Sequence, residues 1–187
     1  MEGGGTVGSG VVSGARRHIV LVGLPGCGKT TVGRLVAGHL GARFVDLDTS
    51  VAERAGAPVE RIFAERGEPA FRLLERSEML RALLGEAGVL APGGGWAAQA
   101  GNLEAAADRA VTIYLSLTAA EAARRIGPSG AVRPLLAGKD ATLALAELLA
   151  AREPFYQRCQ SVVDVAGRSP EWASTEVAKL ARSLGGW

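Results

Sequence analysis

Five short apolar runs punctuate the chain: HIVLVG from His18, RFVDLD from Arg43, GVLAPG from Gly88, AVTIYLSL from Ala110 and SVVDVAG from Ser161. They are rich in valine, isoleucine and leucine and nearly continuous, the pattern of strands covered on both faces. The segments between them carry helical spacing instead. Val32, Leu35, Val36 and Leu40 fall at i, i+3, i+4 and i+8, one stripe of a helix. Val59, Ile62 and Phe63 repeat that spacing, and Leu73, Leu80, Leu83 and Leu84 mark a further face expected to be buried. Strand runs alternating with such helices predict a parallel sheet between two helical layers, a three-layer α/β/α sandwich.

No internal repeat and no long linker divides the chain, so one domain is expected over residues 18–187. Met1 to Arg17 is glycine-rich, has no amphipathic period, and lacks the basic start and apolar centre of a secretory signal; it reads as a flexible tail. Gly127 to Asp140, GPSGAVRPLLAGKD, mixes glycine, proline and positive charge and reads as a mobile loop.

Composition narrows the partners. Against 21 Lys and Arg stand 19 Asp and Glu, and a net charge of +2 makes no broad field for nucleic acid or an anionic membrane. No apolar run approaches the roughly 18 to 20 residues of a membrane span. Cys27 and Cys159 are too few for a disulfide framework, which fits a reducing cytoplasm. No metal-ligand spacing is visible, and a monomer with small-molecule partners is expected.

The strongest motif is Gly23-Leu-Pro-Gly-Cys-Gly-Lys29-Thr30, which matches G-x-x-x-x-G-K-[ST] at every fixed position and directly follows the first strand run. Such a loop turns successive N–H groups, and the positive end of the next helix, onto phosphate oxygens. Lys29 is placed to neutralise β- and γ-phosphates and Thr30 to offer its hydroxyl to magnesium. Cys27, beside Lys29 at a helix start, has an environment that stabilises a thiolate; the plainer reading is a small, tolerated side chain. Asp46 and Asp48 end the second strand run, where open parallel sheets place ligands, and alternate residues of a strand share a face. After the third run come Gly93, Gly94 and Gly95, whose missing side chains permit close approach to the backbone.

In this order the pieces resemble the shikimate kinase family of P-loop kinases. The resemblance spans Ile19 to about Leu180 and rests on GLPGCGKTT, FVDLD, the block from Gly56 through Glu75 containing IF, GE and FR, the GGG triplet, RPLL from Arg133, and R-x-P-x-Y from Arg152. It implies a five-stranded parallel sheet in the order 2-3-1-4-5, with substrate-binding helices after the second strand and a lid. It also implies transfer of the ATP γ-phosphate to the 3-hydroxyl of shikimate, with Mg2+. Residue by residue, Lys29, Asp48 and Arg133 match catalytic positions, Asp48 as the acid that orients or deprotonates the attacking hydroxyl and Arg133 as the lid arginine. ATP binding falls to Gly23, Gly26, Cys27, Gly28, Lys29, Thr30 and Thr31, with Arg133 and, near adenine, Arg125. Asp46 matches the magnesium shell, through water. Arg72 and Arg152 match the two arginines that grip the substrate carboxylate, Glu75 a group placed to orient Arg72, and Gly93, Gly94 and Gly95 the backbone against the substrate ring.

The residues support this chemistry by themselves. Paired arginine forks suit a small carboxylate, and phosphoryl transfer demands alignment and charge neutralisation. Two other readings stand beside it: a related gluconate or nucleotide kinase, which has no need of paired arginines, and a non-catalytic ATP-binding domain of the same family. The latter tends to lose the lysine, the acid or the lid arginine, and all three are present in this chain.

Overall fold

The computed structural model describes residues 15–127 and 140–187. All five apolar runs form strands: β1 (His18–Val22), β2 (Arg43–Asp46), β3 (Gly88–Ala91), β4 (Ala110–Ser116) and β5 (Ser161–Asp164). Every pairing is parallel and the order is β2-β3-β1-β4-β5. Strand β1 is buried throughout and β4 nearly so, because each has a neighbour on both sides and helices on both faces; edge strands β2 and β5 are partly exposed.

Alternation along β1 divides the core. Ile19 and Leu21 face one way, onto α1 (Lys29–Leu40), α6 (Ala141–Tyr156) and α7 (Pro170–Gly185), through Val36, Leu145 and Val177. Val20 and Val22 face the other way, onto Met79 and Leu83 of α3 (Val59–Leu84), Trp96 and Tyr156. Helices α2 (Leu47–Ala55), α4 (Asn102–Ala106) and α5 (Ala119–Ile126) complete the three layers, and a small third cluster of Val51, Ile62 and Phe71 joins α2 to α3.

Helix α3 departs from the leucine pattern. Leu83 is buried, but Leu73 and Leu84 are 72% and 71% exposed and Leu80 43%. The face turned inward is Phe71, Glu75, Glu78, Met79 and Ala82, a helical stripe that passes through two glutamates. Their charges are met by arginines: Glu78 by Arg54 of α2 and by Arg81, Glu75 by Arg72. Gly67, at φ 77°, breaks the helix, and Pro69 follows, where its missing N–H and its ring are tolerated only near a helix start. Phe71 to Glu75 therefore lie in the opening turns of a separate segment.

Arg17, placed by sequence in the tail, belongs to the folded domain. Its N–H donates to Gly185 O (2.9 Å), its guanidinium to Ala110 O (2.6 Å), and its carbonyl accepts from Trp187 Nε1 (2.8 Å). Among the described residues no helix is long and apolar enough to cross a membrane.

Candidate active site

The phosphate loop spans the turn from β1 to α1. Gly26 and Gly28 hold φ of 85° and 97°, a region side-chain-bearing residues avoid. Helix α1 has no side-chain cap and no acidic residue in its first turn, so its leading N–H groups are left for an anion. Lys29 Nζ donates to Gly23 O (2.9 Å) and Leu24 O (3.1 Å), which fixes the ammonium at the loop's centre. Cys27 is wholly buried in the core beneath the loop, its Sγ 3.8 Å from Lys29 Nζ. This burial supports the plainer reading of a small packed side chain.

Asp46 and Asp48 reach the same place by a route that strand alternation did not foresee. Strand β2 ends at Asp46, and Asp48 lies in the first turn of α2. Asp46 is the N-cap: its carboxylate accepts from the Asp48 and Thr49 N–H groups, ending the strand by satisfying donors the helix start leaves open. Its other oxygen accepts from Thr30 Oγ1 at 2.8 Å, joining β2 to the phosphate loop. A charge on Asp48 is favoured there by the helix dipole.

The glycine triplet is where the remaining residues converge. A methyl group added at Gly93 would stand 2.6 Å from Glu75 Oε1 and 3.1 Å from Asp48 Oδ1. At Gly94 it would stand 3.1 Å from Gly23 O of the phosphate loop and 3.4 Å from Arg152 Nη1, and at Gly95 2.3 Å from Arg72 Nη2. Bare backbone thus lets both arginines and both carboxylates pack against the triplet, which touches the phosphate loop at Gly94. Arg72 donates through Nη1 to Glu75 Oε2 (2.7 Å) and through Nε and Nη2 to Glu68 Oε1 (3.1 and 2.8 Å). Glu75 also accepts the Gly93 N–H at 2.9 Å.

Burial pushes the Glu75 carboxyl up to about 7, only partly offset by Arg72 and the Gly93 N–H, while the charge of Asp48 pushes the same way. Unfolded, this carboxyl titrates near its ordinary 4.5, so between 4.5 and about 7 the folded state holds the proton more firmly. Stability from this group is full at low pH and is lost as pH rises through that window. Thermal unfolding of wild type and Glu75→Gln should therefore give a Tm difference that shifts against the wild type from pH 5 to about pH 7 and is level above it. A flat difference would place the carboxyl's titration elsewhere.

One cavity of about 640 Å³ runs from the phosphate loop past Asp46, Asp48 and Gly94 to Arg125 at its far end. Arg125 is fixed there by Glu121 Oε1 and Val165 O, each at 2.6 Å. The same end is walled by Val165, Arg168, Ser169 and Pro170, which the sequence reading did not single out. A signal was present: serine before proline opens a helix, here α7 with Ser169 as N-cap, at the carboxyl edge of β5. Arg72 lines a second surface cavity with Arg76 and Gln99, not the one that contains the phosphate loop. Arg133 and the expected lid fall outside the described residues.

A parallel sheet with a complete phosphate loop at the carboxyl end of β1, an acid on the adjacent helix and arginines across a glycine turn defines a P-loop small-molecule kinase. The family model for shikimate kinase matches residues 25–182. The shikimate kinase of Mycobacterium avium is 44% identical over 152 residues, 81% of this chain and 85% of that one. That of Salinispora arenicola is 44% identical over 162 residues, 86% and 95% of the two chains. The structure of shikimate kinase from Acinetobacter baumannii in complex with shikimate superimposes with a TM-score of 0.85 at 32% identity, covering 90% of this chain and 94% of that one. The chain belongs to the shikimate kinase family, and is an ATP-dependent kinase with ATP as co-substrate.

Proposed function

We propose that the enzyme transfers the γ-phosphate of ATP to the 3-hydroxyl of shikimate, giving shikimate 3-phosphate and ADP, as a cytoplasmic monomer with no nucleic-acid or membrane partner. The observation that carries this reading is the packing of the glycine triplet, with Arg72, Arg152, Asp48 and Glu75 against its backbone and Gly94 next to Gly23 of the phosphate loop. Two arginine forks are more than a sugar hydroxyl needs and suit a carboxylate. Arg72 is held from one side by buried Glu75 and from the other by half-exposed Glu68. An incoming carboxylate takes the place of Glu68, while Glu75 keeps the fork aimed.

Asp48 orients the attacking hydroxyl and receives its proton, and Lys29 offsets charge on the transferring phosphate. The adenine end lies toward Arg125, with Arg133 reaching the phosphate from the lid. Thr30 and Asp46, a hydroxyl and a carboxylate already in contact, are a hard-oxygen pair suited to magnesium. Among the described residues no three His, Cys, Asp or Glu side chains converge on a metal position, so the ion would rely on phosphate oxygens and water as magnesium commonly does. Bound there, it neutralises phosphate charge.

The test is ADP release measured with shikimate, gluconate and nucleoside monophosphates in turn. Shikimate alone should stimulate it, and Arg72→Ala or Arg152→Ala should raise the KM for shikimate about ten- to a hundredfold, the scale of a lost charged hydrogen bond. The KM for ATP should stay within about threefold, since neither arginine lies on the phosphate loop. Stronger turnover with gluconate, or of a shikimate amide as readily as the acid, would overturn the reading.

A further inference from the structure

Tyr156 closes the R-x-P-x-Y motif, and none of the roles above uses it. It is wholly buried in the last turn of α6, one helical turn beyond Arg152, so both side chains share a face. Its ring packs on Tyr114 of β4 with centroids 4.9 Å apart, in the cluster that contains Trp96. Its hydroxyl donates to Gly94 O at 2.5 Å. The Arg152 guanidinium lies against the backbone of the same glycine, a methyl group there standing 3.4 Å from its Nη1.

We propose that Tyr156 is a positioning residue for the acid substrate, its hydroxyl fixing the Gly94–Gly95 peptide against which the Arg152 guanidinium rests. In a planar trans peptide the carbonyl and the following N–H point in opposite directions. Drawing Gly94 O toward the tyrosine therefore turns the Gly95 N–H away from it. The neighbouring groups of the triplet are already committed: Gly93 N–H to Glu75, Gly93 O to the Trp96 N–H, and Gly95 O to the Ala98 N–H. The Gly94 carbonyl is the one carbonyl of the triplet that depends on a side chain. Burial drives the Tyr156 phenol far above its usual range, and Arg152 only partly opposes this, so the hydroxyl remains a donor throughout the neutral range.

The inference rests on the shikimate reading, and one set of assays separates the two. In Tyr156→Phe the ring and its packing stay while the hydroxyl goes. The KM for shikimate should rise about tenfold, as for a buried carbonyl left without its donor, with the KM for ATP changed by less than about twofold. Tyr114→Phe alters the same aromatic pair without touching the triplet, and should leave the shikimate KM unchanged whatever it does to Tm. If Tyr156→Phe lowers Tm but leaves the KM for shikimate at the wild-type value, the tyrosine is a packing residue and the inference falls alone. If wild type shows no shikimate-stimulated ADP release, both readings fall. Should Tyr156→Phe not fold, Tyr114→Phe labelled with fluorotyrosine carries a single 19F line, because the chain has two tyrosines. That line should move on titration with shikimate and stay put with ADP alone; a line unmoved at saturating shikimate overturns the proposal.

Discussion

Lys29→Ala is expected to bring phosphoryl transfer to the limit of detection. The ammonium sits between Gly23 O and Leu24 O, centred in a loop whose other donors are backbone N–H groups and cannot follow a phosphoryl group as it leaves ADP. Removing a single pre-aligned donor from a site of developing charge costs about 10² to 10³ in kcat, and here a full positive charge is removed as well. Fold should survive, because Leu24 O keeps the Cys27 N–H as a donor and α1 keeps the buried Val32 and Val36, although buried Gly23 loses the partner of its carbonyl. The measurement is single-turnover transfer at saturating ATP and shikimate, with Tm as control. A variant that keeps more than about a tenth of wild-type kcat would deny Lys29 its role at the transferring phosphate.

Asp48→Asn should follow, with kcat lowered on the order of 10² or more, the range for a positioned acid–base group. The substitution is nearly isosteric and leaves intact the Asp48 N–H, which donates to Asp46 Oδ1. The N-cap of α2 and the contact between Asp46 and Thr30 should therefore persist. What changes is the charge beside Gly93 and its capacity to take a proton. If the KM for shikimate rises while kcat is intact, Asp48 only binds the substrate hydroxyls and the proton leaves by another route.

Much of the architecture was legible because the strands are short, buried on both faces and separated by glycine-rich turns. The sheet order, by contrast, came through family resemblance, since no periodicity encodes which strands pair. Asp48 was assigned to a strand because alternation cannot reveal that Asp46 itself ends the strand by capping a helix. Leu73, Leu80 and Leu84 misled because a buried stripe usually carries leucine, whereas here the inward face carries Glu75 and Glu78, each matched by arginine from a neighbouring turn or helix. A carboxylate buried against an arginine looks, in sequence, like a solvated one. Arg72 and Arg152, the proposed clamp, lie 80 positions apart and reach neighbouring glycines of the triplet only through tertiary folding, and the cavity wall from Val165 to Pro170 is a segment whose serine and proline suggest no more than a helix start.

The triplet also bears on how the enzyme could yield to selection by an inhibitor. Resistance usually comes from a side chain that grows, shrinks or changes charge where the drug touches it. If the triplet carries substrate as proposed, that contact surface has no side chains to vary. A side chain at Gly93 would crowd Glu75 and Asp48, at Gly94 the phosphate loop, and at Gly95 Arg72. A compound that takes its grip from the backbone of these three residues would leave the organism few escape mutations, each of which disturbs the groups proposed to hold its own substrate.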